Sequence, residues 1–90
     1  MTANDPKATE TVVRAVLADV LGIAAARVAT FDDHTLLFGS LPEIDSMAVA
    51  ALLTEIEDRL HIVIEDDEVD GEMLESLGSL IAFVDSKITA

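Results

Sequence analysis

Ser46 is the residue best placed to do chemistry. It stands between Asp45 and Met47, just after the loop Phe38-Gly39-Ser40-Leu41-Pro42-Glu43. As a hydrolase nucleophile it is poorly equipped. A serine hydroxyl needs an adjacent base, and Ile44-Asp45-Ser46-Met47-Ala48 lacks the glycines of a nucleophile elbow. The two histidines, His34 and His61, come with no recognisable constellation and read as surface or loop residues. As the acceptor of a covalent group, Ser46 needs no base of its own, because the transferring enzyme supplies the chemistry. A plain capping role fits the same position. A second candidate is Asp66-Asp67-Glu68-Val69-Asp70-Gly71, which resembles half of a calcium loop. With Gly71 sixth, the twelfth position is Leu77, where a bidentate glutamate is needed, so no specific metal site is expected. The chain has no cysteine, hence no thiolate site and no disulfide framework.

The element that must hold Ser46 is legible downstream of it. Val49, Leu52, Leu53, Ile56 and Leu60 recur at i, i+3, i+4, i+7 and i+11, which predicts an amphipathic helix from about Ser46 to Leu60. Asp45 falls at its N-cap, where a short carboxylate accepts first-turn N–H groups. The Ser46 hydroxyl then lies exposed at the positive end of the helix dipole, where a phosphate is stabilised. Ala48, Ala51, Glu55 and Asp58 line the outward face. Small residues near the serine with acids beyond suit a docking partner, and they equally suit an ordinary solvated face.

The remaining elements follow in order. Asp5-Pro6 starts a first helix that runs to about Leu21, with Val13, Val16, Leu17, Val20 and Leu21 inward and Arg14 and Asp19 outward. Gly22 stops it. A long connection follows, in which residues 24–28 make one extra turn and Ile23, Val28 and Phe31 plug into the core. Asp32-Asp33 caps a short turn through Phe38. A connection of this length is expected to serve function or to carry short helices of its own. His61-Ile62-Val63-Ile64 has strand propensity, but with no partner strand it reads as an extended connection with Ile62 and Ile64 tucked in. A short third helix is expected from Asp66 to about Gly71. The last starts near Ser76, with Leu77, Leu80, Ile81 and Val84 inward, Phe83 and Ile88 adding to the stripe, and Lys87 complementing its dipole. Gly78 weakens it locally.

Bulk properties narrow the function class. Ninety residues make one domain spanning 1–90. Hydrophobic residues are 51% of the chain but aromatics only 3%, so the core is aliphatic and offers no platform for stacking bases. Eighteen acids against five lysines and arginines give a formal charge of −13. That sign excludes nucleic-acid binding, which neutralises phosphates, and it opposes an anionic membrane surface. A basic protein partner would be steered toward it. The N-terminus lacks the basic and apolar regions of a signal peptide, and no apolar run approaches the ~18 residues of a membrane span. A monomeric cytoplasmic protein is expected.

Leu41-Pro42-Glu43-Ile44-Asp45-Ser46-Met47, followed by an acidic amphipathic helix, resembles the acyl carrier proteins, and the resemblance covers nearly the whole chain. It implies an all-α, four-helix bundle of three longer helices and one short, with a long loop between the first and second helices. It implies a phosphopantetheine arm on Ser46, whose thiol carries an acyl or aminoacyl group as a thioester. Asp45 would assist the transferase and its metal ion, and Met47 would pack at the base of the arm. The helix after the serine would be the recognition surface, through Ala48, Ala51, Glu55, Glu57 and Asp58; Arg59 departs from the more uniformly acidic helix of many fatty-acid carriers and would tune partner choice. The aliphatic core, bounded by Phe38 and Phe83, would part to shelter an acyl chain. Implied partners are a phosphopantetheinyl transferase, an acyl-loading ligase or synthase, and acyl-transferring enzymes of lipid, polyketide or other specialised biosynthesis. The chain itself would catalyse nothing. The Gly-Ser-Leu-Pro-Glu-Ile loop looks less like fatty-acid carriers than like discrete carriers of specialised pathways. The alternative is an acidic helical interaction module with an unmodified Ser46.

Overall fold

α1 (Pro6–Leu21), α2 (Ala25–Ala29), α3 (Ser46–Leu60) and α4 (Leu77–Thr89) follow one another, with a single 3-10 turn (Asp66–Glu68) before the last. This is a computed structural model that describes residues 6–37 and 46–89. The architecture is all-α, with three longer helices and one short one, as expected. Among the described residues the only extended pairing is an isolated bridge between Leu36 and Ser76.

α1 is the hub and packs against each of the other three helices. Val13, Val16 and Leu17 are fully buried, while Val20 and Leu21 sit half-buried at the edge of the core. Gly22 ends the helix with φ +69, a left-handed conformation that glycine adopts without steric cost. α2 is the extra turn expected in the connection. Ile23 and Val28 are buried and Phe31 is half-buried against the core, so all three act as plugs. Arg14 departs from its expected outward position. Its Nε donates to Glu10 at 2.8 Å and its Nη1 to the Val28 carbonyl at 2.8 Å. A five-residue helix leaves its last carbonyls without intrahelical partners, and the arginine laid across from α1 satisfies one of them.

α3 turns Leu52, Leu53 and Ile56 into the core, with Val49 and Leu60 packed half-buried against it. His61 closes it in a left-handed conformation, φ 56, and the Ile62 N–H returns to the Glu57 carbonyl at 3.2 Å. The following segment is extended, as expected. Ile64 is buried, Ile62 is half-buried, and Val63 is 65% exposed. The third helix expected from Asp66 is instead the 3-10 turn Asp66–Glu68 followed by turns. Local side chains compete for the backbone there: Glu68 accepts the Glu65 N–H at 2.8 Å and Asp70 the Met73 N–H at 2.9 Å.

α4 buries Leu77, Leu80 and Val84, with Ile81, Phe83 and Ile88 half-buried beside them. The Ser76 hydroxyl caps it by accepting the Ser79 N–H at 3.1 Å. The free N–H groups of its first turn are used as well. Leu77 donates to the Thr35 carbonyl at 2.9 Å and Gly78 to the Asp33 carbonyl at 3.0 Å, while the Leu37 N–H bonds the Glu75 carbonyl at 3.0 Å. Asp32 caps the turn before this seam by accepting the His34 N–H at 2.9 Å. The turn stops at Thr35, however. Leu36 and Leu37 run alongside the start of α4, and Leu37 is fully buried. At the other end of the bundle, the buried Thr9 of α1 donates to Asp85 of α4 at 3.0 Å.

Candidate functional site

Ser46 is the first residue of α3. The described backbone is anchored on either side of residues 38–45. Downstream, Leu52, Leu53 and Ile56 hold α3 in the core; upstream, Leu37 is buried and tied to Glu75. Asp45, expected at the N-cap, and Phe38, expected at the edge of an acyl-holding space, lie outside the described residues. So does the loop from Gly39 to Ile44. Phe83, the other expected boundary, is half-buried against the core.

The surface leading away from Ser46 is accessible. Met47 is 83% exposed. Ala50, Ala51, Thr54 and Asp58 are exposed in step with it at i+3, i+4, i+7 and i+11, so they share one face. Of the residues expected outward, Ala51 and Asp58 lie on this face, Ala48 is half-buried, and Glu55 is committed to an ion pair. Glu57 turns elsewhere: its carboxylate accepts the Ile64 N–H at 2.7 Å and tethers the segment after α3. Periodicity gave no sign of that bond, because it depends on where an irregular segment returns.

Arg59 has the most elaborate side-chain contacts on α3. Its Nη2 meets Asp19 of α1 at 2.7 Å and its Nε meets Glu55 at 2.9 Å. The hydrogen bonds to Asp19 and then to Glu55 hold the guanidinium above its ordinary pKa. The helical spacing of Glu55 and Arg59 is visible in the sequence, but the bond across to Asp19 needs the α1–α3 packing.

A phosphodiester suits this position. The start of a fifteen-residue helix is the positive end of the helix dipole. The described side chains next to it on the exposed face are one flexible methionine and two alanines, which leave room for an arm. Among the described residues no cluster of three or more His, Asp or Glu side chains is arranged to hold a metal ion. In the acidic segment Glu68 is instead paired with Lys87 at 2.7 Å. None of the described helices is long and apolar enough to cross a membrane.

A small helical bundle that sets a serine at the start of its second long helix is a carrier-type domain. The phosphopantetheine attachment site family matches residues 11–84, and the chain belongs to that family. Among solved structures, the holo acyl carrier protein of Nitrosomonas europaea, determined by solution NMR, superimposes with a TM-score of 0.81. It is 38% identical, over 91% of this chain and 96% of that one. No curated protein matches the sequence at a significant level.

Proposed function

We propose that this protein is an acyl carrier whose Ser46 hydroxyl takes the phosphopantetheine arm. The observation that carries the reading is the position of Ser46 as the first residue of α3 within a chain of the phosphopantetheine attachment family. When bound, the arm supplies a thiol that holds an acyl group as a thioester. The residues of the chain serve that group in three ways. The start of α3 favours the phosphate end through the positive end of its dipole. Met47 packs at the base of the arm, and Asp45 assists the enzyme that attaches it. Ala48, Ala51, Glu55, Glu57 and Asp58 form the helix surface met by partners, with Glu55 held in its ion pair with Arg59 and Glu57 acting by holding the 61–65 segment in place. A tethered thiol presents its cargo to successive active sites at high effective concentration. The cysteine-free chain offers no competing thiol.

The partners are a phosphopantetheinyl transferase, a loading ligase or synthase, and acyl-transferring enzymes of a lipid, polyketide or other specialised biosynthetic pathway. The proposed state is monomeric and the setting cytoplasmic. Intact mass before and after incubation with coenzyme A and a broad-specificity phosphopantetheinyl transferase tests the reading. The wild type should gain one phosphopantetheine and Ser46→Ala none. A folded wild type that gains nothing, with its host's own transferase as well, would contradict it.

A further inference from the structure

We infer that Arg59 withholds Glu55 and Asp19 from basic partner surfaces and so sets which enzymes the α3 face accepts. This rests on the carrier reading and adds a residue that decides between partners. At −13 the chain draws partners that present lysines and arginines. On α3 the acidic side chains are Glu55, Glu57 and Asp58, and Arg59 is the one basic residue. Glu57 is bound to the Ile64 N–H, and Glu55 is held by Arg59, which also takes Asp19 from α1. Asp58 alone of the three stands exposed with no ion pair among the described residues. An acidic count read from the sequence therefore overstates what a basic partner can engage. The Arg59 side chain is about one-third exposed between Asp19 and Glu55, which are themselves accessible, so an approaching cation meets like charge between the two acids.

The location suits this role. Arg59 lies about 20 Å along the helix from Ser46, at roughly 1.5 Å per residue. A standard interface covers about 800 Å² per partner, close to 30 Å across. An enzyme whose footprint has Ser46 toward one edge and extends along α3 therefore covers Arg59. Exposed ion pairs contribute little to stability, so the bridge can be removed without endangering the fold. The expected occupant is the lysine- and arginine-bearing face of a partner enzyme. A partner that puts a carboxylate opposite Arg59 is the kind this protein would select.

The test is arm transfer from coenzyme A by a broad-specificity transferase with a basic docking face, measured as kcat/KM at low and high ionic strength. Arg59→Gln should raise kcat/KM by about three- to tenfold at low salt, and the gain should fade as salt screens it. Arg59→Lys keeps the charge and should stay near wild type. Glu55→Gln should cost more in the Arg59→Gln background than in the wild type, because there Glu55 meets the partner with no guanidinium competing for it. Equal rates for wild type and Arg59→Gln, or equal costs of Glu55→Gln in both backgrounds, would overturn the inference while leaving the carrier reading intact. Absence of transfer to either protein would overturn the carrier reading and the inference with it.

Discussion

Gly78 of α4 lies directly against Asp33 of the long connection. Its N–H donates to the Asp33 carbonyl at 3.0 Å, and a Cβ added there would stand 2.9 Å from that same oxygen. The atom in the way is backbone, which cannot swing aside. Helix propensity alone favours Gly78→Ala by about 1 kcal/mol. Here packing should win, with a net destabilisation of about 1–3 kcal/mol in urea unfolding. A more stable Gly78→Ala would show that the contact is not as tight as described.

Thr9 and Asp85 join the two ends of the chain by a 3.0 Å hydrogen bond from a fully buried hydroxyl. Thr9→Val keeps the shape but removes the donor, leaving the carboxylate short of one partner. The expected cost is about 0.5–2 kcal/mol in chemical denaturation. A neutral outcome would mean that water replaces the hydroxyl.

These two contacts mark the limit of what the sequence discloses. The bounds of α1 and α3 and the buried sets on α1, α3 and α4 follow from apolar spacing, Gly22 and Ser76, all local signals. The position of Ser46 at the start of α3 follows in the same way. Thr9, Gly78 and Glu57 carry no such signal, because each acts on a segment that only the tertiary arrangement brings near. Helical phase puts Arg14 toward solvent, yet the Val28 carbonyl on α2, which also accepts the Phe31 N–H, draws its guanidinium across. The acidic run after Glu65 seemed able to start a helix, but its carboxylates bind nearby N–H groups and stop it at one 3-10 turn.

Lys87 and Glu68 give stability a pH dependence. The hydrogen bond from Lys87, then the one from the Glu65 N–H, hold the Glu68 pKa below the ordinary 4.5. A carboxylate with a lowered folded-state pKa adds stability that is present above 4.5 and lost as pH falls through the folded value. Lys87→Met should therefore lose less stability than wild type between neutral pH and acid. Parallel Tm profiles for the two proteins would show that the pair contributes nothing.

His61 adopts φ 56 at the end of α3, a conformation costly for a residue with a Cβ. His61→Gly should raise stability by about 0.5–1 kcal/mol, offset in part by glycine's freedom in the unfolded chain. Thermal unfolding decides it, and a fall in Tm would mean that the imidazole contributes more than the strain costs.

The central claim is that Ser46 alone receives the arm. The most direct measurement is peptide-level mass spectrometry after reaction with coenzyme A and a transferase. It must separate the peptide holding Ser46 from those holding Ser40, Ser76, Ser79 and Ser86. The account predicts one phosphopantetheine, localised to Ser46. An arm on any other serine, or a folded chain that takes none from its host's own transferase, would contradict it.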